Sequence, residues 1–230
     1  FPLREVRRVR RIGLALLLLA LFIGWRLWQR AHRRDRAAFI DAFPYRKTLD
    51  RRLIAKHPAL TPEQREQVFA GLREYFHLCN DAGRNMVAMP SQVVDDAWHE
   101  FILFTRQYRR FCDRAFGRFL HHTPAEAMAS PTVAQAGIKR AWRLACAREG
   151  IDPKTPSRLP LLFAIDGVLG IANGFRYQLD CMATGKAAAG ATGGDFCASH
   201  IGCSSGCSGD SGSSDGDGGS GCDGGCGGGD

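Results

Sequence analysis

The sequence predicts a mainly α protein: a small helical bundle domain behind an N-terminal transmembrane helix, with a disordered Gly/Cys-rich C-terminal tail. Three observations carry this. Apolar residues recur at helical spacing between recognisable caps from Thr61 to Gly150, an uncharged run occupies Ile12 to Trp25, and residues 186–230 hold 16 Gly and 5 Cys but almost nothing that could fill a core.

Charge is distributed unevenly along the 230 residues. Residues 1–60 hold 15 Lys+Arg against 4 Asp+Glu, residues 61–185 hold 15 against 13, and residues 186–230 hold 1 against 6. The net +8 therefore divides into +11, +2 and −5. The basic excess flanks an apolar segment rather than a folded face, which points to a membrane surface and away from specific nucleic-acid binding.

Residues 1–11 form a basic flank carrying Arg4, Arg7, Arg8, Arg10 and Arg11. The fourteen uncharged residues from Ile12 to Trp25 are extended by Leu27 and Trp28 past Arg26, whose stem can snorkel toward headgroups. Two readings compete, a tightly flanked anchor over 12–28 and the apolar core of a secretory signal peptide. No small-x-small cleavage site succeeds it, and Trp25 and Trp28 suit an interface, so the expectation is an uncleaved single-pass helix in the lipid bilayer. Five arginines on each side (4, 7, 8, 10, 11 and 26, 30, 33, 34, 36) leave the positive-inside rule little to use, with a lean to a cytoplasmic domain. Residues 29–60 read as a basic, partly helical connector in which Phe39, Ile40, Phe43 and Leu53 can dock on the helical domain.

The domain over 61–185 opens at Thr61-Pro62-Glu63-Gln64, where Thr61 caps, Pro62 fits the first helical position and Gln64 closes a capping box. Val68, Phe69, Leu72, Tyr75, Phe76 and Cys79 then keep helical spacing until Asn80 to Gly83. Ser91 caps a second helix of about 25 residues ending at Gly117, with the stripe Val94, Trp98, Phe101, Thr105, Tyr108 and Cys112 facing the core. Thr123 to Glu126 spells another capping box, and Ser130-Pro131 opens a helix that runs through Trp142 to about Arg148. Beyond Gly150, three prolines and aperiodic apolar runs at 161–165 and 168–171 allow short helix or extended chain.

Chemistry concentrates at Asp95, Asp96 and His99, with His121 and His122 beyond the helix end. Asp95 and His99 are four apart and share a helical face; a carboxylate beside an imidazole fixes its tautomer, as a metal ligand or general base requires. His99, one of His121 and His122, and Asp95 or Asp96 would suit a divalent metal such as Zn²⁺, although no His-Glu-x-x-His spacing is present. The structural alternative is a hydrogen-bonded Asp95–His99 pair with His121 and His122 capping a turn.

Cys79, Cys112, Cys146 and Cys181 are well separated, and the first three occupy apolar helical positions as buried thiols do. In the tail, Cys197, His200, Cys203 and Cys207 offer soft ligands, and Cys222 and Cys226 two more, in a tract whose composition alone could account for them. Arg106, Arg109, Arg110 and Arg114 form a basic strip read as solvated surface. There is no phosphate-binding Gly loop ending in Lys-Ser/Thr, no strand-linked Gly-x-Gly-x-x-Gly and no Gly-x-Ser-x-Gly.

The segment Val94 to Thr105, continuing through Tyr108, Phe111-Cys112 and Phe116 to Pro124, resembles the glycine-rich domain-containing protein-like family in its acidic residue, Trp98-His99, Thr105, Tyr108 and His-x-Pro exit. The resemblance covers residues 45–185, and the Gly-rich tail fits the name. It implies an architecture more than a reaction, and carries Asp95, Trp98, His99, His121 and His122 over as motif positions. Where larger relatives have a second His, Phe101 stands in this chain. The expected function is a membrane-tethered binding or scaffold module with a protein partner. The alternatives are a small metal-dependent hydrolase on the Asp/His cluster and a metal-buffering or redox role for the tail thiols.

Overall fold

The computed structural model of the protein describes residues 2–122, 131–179, 195–197 and 201. Its elements in order are α1 (Pro2–Ala42), α2 (Tyr45–Lys56), α3 (Pro62–Ala82), α4 (Gln92–Leu103), α5 (Thr105–Phe116), α6 (Pro131–Glu149), α7 (Leu161–Val168), β1 (Arg176–Gln178) and β2 (Asp195–Cys197). The protein is mainly helical, as its periodicity predicts. The two strands pair in parallel with Tyr177 opposite Phe196. Strand β2 and the core-contacting Ile201 lie within the stretch expected to be disordered; the rest of 186–230, with Cys181 and the Thr123–Glu126 box, lies outside the described residues.

Helix α3 is central, packing against α1, α2, α4, α5, α6 and α7. Its start is set locally. The Gln64 N–H donates to Thr61 Oγ1 at 3.2 Å and the Thr61 N–H to Gln64 Oε1 at 2.9 Å, the capping box that the sequence spells. Its buried face presents Val68, Leu72, Tyr75, Phe76 and Cys79. At Gly71 a Cβ would come within 2.8 Å of Val94 Cγ2, so the missing side chain lets α4 lie close against α3.

Aromatic rings fill the space between α1, α2, α3, α4 and α5. Phe76 and Phe111 have centroids 4.8 Å apart, Phe43 and Phe111 4.9 Å, and Phe43 and Phe101 5.3 Å, in tilted or edge-on arrangements that suit ring quadrupoles. The basic connector thus contributes to this core: Ile40, Tyr45, Leu49 and Leu53 are fully buried. A smaller cluster joins α6, α7 and β1, with Trp142 5.0 Å from Phe163 and Phe163 4.8 Å from Tyr177.

Two sequence expectations are corrected. The first is the membrane anchor over residues 12–28 and the single-pass localisation built on it: among the described residues no helix is long and apolar enough to cross a membrane. Although α1 has 41 residues, its uncharged run from Ile12 to Trp25 spans only about 21 Å at 1.5 Å per residue, against a hydrocarbon core of about 30 Å. Arg11 and Arg26 close that run on both sides.

The second concerns the 25-residue helix, which is two helices. Phe104 leaves helical geometry at φ −80°, ψ 57°, ending α4 and beginning α5. In an unbroken helix Thr105 would share the core stripe with Phe101 and Tyr108; after the break it is exposed, and Tyr108, Phe111, Cys112 and Ala115 turn inward. Gly117 then ends α5 in the left-handed region at φ 66°, as predicted.

The entry into α4 is held from afar. Asp166 of α7, only 2 % exposed, accepts from Ser91 Oγ at 2.7 Å, Gln92 N at 2.7 Å, Val93 N at 3.2 Å and Phe175 N at 2.9 Å. Ser91 Oγ in turn accepts from Val94 N at 3.2 Å. The first-turn amides of α4, otherwise without helical partners, are satisfied by one carboxylate and one hydroxyl.

Burial decides the state of the thiols. It pushes Cys79 up to about 12 and Cys146 to about 11, and it raises Cys112 against a lowering hydrogen bond from the Leu120 backbone. All three are free thiols. Because these folded-state values lie above the ordinary value of 9.0, their contribution to stability is complete below pH 9 and is lost as pH rises toward 12. Denaturant midpoints measured across this range should therefore fall above pH 9, and iodoacetamide at pH 8 should leave Cys79 and Cys112 unmodified until the chain unfolds.

Candidate metal centre

Helix α4 carries Asp95 and His99 one turn apart, and the segment after α5 brings His122 onto them. His122 Nε2 lies 2.7 Å from Asp95 Oδ1, and His99 Nδ1 lies 3.6 Å from Asp95 Oδ2, so the two carboxylate oxygens face different imidazoles. The His99 and His122 rings are 4.3 Å apart at their centroids. One ligand atom from each of Asp95, His99 and His122 falls within 4.8 Å of the others. Side-chain exposures of 19 %, 41 % and 11 % place the cluster at the edge of the core with His99 outermost.

His122 sits in irregular chain, so something other than a helix must fix it. Trp98 Nε1–H donates to Tyr108 Oη at 3.0 Å, and Tyr108 Oη–H donates to the Leu120 carbonyl at 2.6 Å. With the residue two positions earlier held in this way, the His122 ring packs edge-on against the Trp98 ring at 4.4 Å. Trp98 and Tyr108 of the sequence motif thus act on the loop, while Cys112 is buried in the core and Thr105 is exposed at the start of α5.

Of the candidates that the sequence offers, the structure unites Asp95, His99 and His122. His121 is exposed, its ring 4.7 Å from Phe119. Asp96 turns to α2 instead, accepting from Lys56 Nζ at 2.7 Å, His57 Nε2 at 2.8 Å and Gln92 Nε2 at 3.3 Å. Sequence spacing does not reveal Lys56 and His57, since His57 lies 39 residues from Asp96 and no local pattern connects them. In the tail, Cys197 lies in β2, and His200, Cys203 and Cys207 are outside the described residues.

Two imidazoles and a carboxylate are nitrogen and oxygen donors suited to Zn²⁺ and other divalent first-row metals. Metal–ligand bonds of about 2.0–2.2 Å set tetrahedral donor separations near 3.4 Å, inside the 4.8 Å that bounds the ligand atoms of this cluster. Metal ligands bind in their deprotonated forms, so acidification should oppose loading.

Fold and site together define a small, mainly helical domain with a partly exposed Asp/His cluster at the edge of its core. The family model described as UCP032817-like matches residues 35–201, and the chain belongs to that family. The resemblance to the glycine-rich domain-containing protein-like family is thereby corrected: the match takes in most of the basic connector and stops at residue 201, leaving out most of the Gly-rich tail that supported the other name. No curated protein and no solved structure matches the chain.

Proposed function

We propose that this domain is a metal-binding module that holds a divalent ion such as Zn²⁺ through Asp95, His99 and His122 and leaves coordination positions for an external ligand. The observation that supports it is the convergence of three ligand atoms within 4.8 Å from segments 27 residues apart. Three protein donors rather than four is the arrangement of open sites, in which water or a bound group completes the shell. In a protein that binds or scaffolds a partner, that group is a donor from the partner.

A hydrolytic role would use the same cluster, with bound water brought to a pKa near 7. It asks for a substrate cleft around the ion.

The test is titration of the full chain with Co²⁺. One ion without a thiolate charge-transfer band is expected, because the proposed donors are nitrogen and oxygen, whereas tail thiols would give that band. In His99→Ala the affinity should drop on the order of 100-fold while stability changes by less than about 0.5 kcal/mol, His99 being the outermost of the three. Binding with equal affinity in wild type and His99→Ala, or only with the thiolate band, would reject the site and leave Asp95–His122 as a structural hydrogen bond.

A further inference from the structure

Helix α2 buries Tyr45, Leu49 and Leu53 and turns a strongly basic face to solvent. Its cations divide into two groups. Arg52 is paired with Glu100 at 2.6 Å and Lys56 with Asp96 at 2.7 Å, whereas Arg46, Lys47 and Arg51 have no carboxylate within ion-pair distance among the described residues. Glu63 feels Arg46 only at longer range. Asp50, the acidic residue of this face, is taken by Arg65 at 2.8 Å. The three uncompensated cations line an open groove of about 900 Å³ together with Thr48 and Phe104. Phe104 is 37 % exposed there, at the break between α4 and α5. A stretch with three neighbouring uncompensated cations is an electrostatic surface that attracts a polyanionic segment.

The chain itself carries one. Residues 202–230 contain Asp210, Asp215, Asp217, Asp223 and Asp230 and no Lys or Arg, spaced by Gly and Ser. They come directly after Ile201, which packs against the core. Twenty-nine residues reach at most about 100 Å, against a radius of gyration of about 15 Å for a domain of this size, so the tether permits the contact wherever the groove lies. Tethering also raises the local concentration of those carboxylates to the millimolar range, which makes individually weak ion pairs count.

We propose that the acidic segment 202–230 docks on the basic groove of α2, its aspartates pairing with Arg46, Lys47 and Arg51, and so covers this face against other polyanions. The contact is electrostatic and multivalent, and therefore salt-sensitive: the screening length falls from about 8 Å at physiological ionic strength to about 3 Å at 1 M.

Zero-length carbodiimide crosslinking of the full chain tests this, using a mixture of ¹⁵N-labelled and unlabelled protein with products mapped by mass spectrometry. The Lys56–Asp96 pair at 2.7 Å serves as an internal reference for folding and reactivity. Crosslinks from Lys47 to the aspartates of 202–230 within one isotopic chain are expected, with yield reduced about tenfold or more at 1 M salt or in the Arg46→Ala/Arg51→Ala variant while the reference crosslink persists. Mixed-isotope crosslinks would overturn the proposal in favour of a second copy as occupant, and absence of Lys47–tail crosslinks beside an intact reference would overturn it outright. Heparin supplies the independent readout. Changing all five tail aspartates to Asn should raise heparin affinity several-fold, and an unchanged affinity would show that the tail does not cover the groove.

Discussion

Asp166→Ala should lower the stability of the domain by about 3–5 kcal/mol, a fall in thermal midpoint of roughly 10 °C. The carboxylate is buried and accepts from three backbone amides and one hydroxyl, so removing it leaves the Gln92, Val93 and Phe175 N–H groups and the Ser91 hydroxyl without this acceptor. An unpaired buried donor costs more than a hydrogen bond contributes, because the water it gave up on folding is not returned. Asp166→Asn separates shape from charge. It keeps the volume but turns one acceptor into a donor facing an amide, and it removes the negative charge favoured at a helix N-terminus, so about half the loss is expected. Denaturant unfolding of the two variants beside wild type measures both. If Asp166→Ala costs less than about 1 kcal/mol, solvent must reach the N-terminus of α4, and the Asp166 carboxylate is not what holds it.

The helices set by neighbouring residues are open to sequence reading: Thr61 and Gln64 start α3 by bonding to each other, and Gly117 stops α5 through its own backbone freedom. The break at Phe104 is not, since Val94, Trp98, Phe101, Thr105, Tyr108 and Cys112 keep one helical phase through it. What turns α5 is tertiary. Phe111 must reach Phe39 at 5.7 Å, Phe43 at 4.9 Å and Phe76 at 4.8 Å, on segments that sequence spacing does not locate. The site divides in the same way. The i, i+4 relation of Asp95 and His99 is a property of one helix, whereas the choice of His122 over His121, and the loss of Asp96 to Lys56 and His57, depend on chain returning from elsewhere. The anchor fails on length: carrying a short apolar run across Arg26 lengthens it on paper, but a bilayer still meets a guanidinium there.

Tyr108→Phe should cost about 2–4 kcal/mol and also weaken metal binding by about 10–100-fold, two effects with one cause. The hydroxyl is the hydrogen-bond partner of two buried groups, the Trp98 indole N–H and the Leu120 carbonyl, and its removal strands both without creating a large cavity. Leu120 then loses the bond from Tyr108 that places it, and His122, two residues on, loses its fixed approach to Asp95. Unfolding experiments read the first effect and Co²⁺ titration the second. Trp98→Phe provides the contrast, because Tyr108 would still donate to Leu120; its stability loss should arise from the smaller ring and the lost indole bond, with metal affinity falling less than in Tyr108→Phe. Combining the two substitutions should cost less than the sum of the single losses, since each removes part of the same chain of hydrogen bonds. Were Tyr108→Phe to lose stability yet bind metal as wild type does, His122 would be positioned by its contact with the Trp98 ring rather than through Leu120.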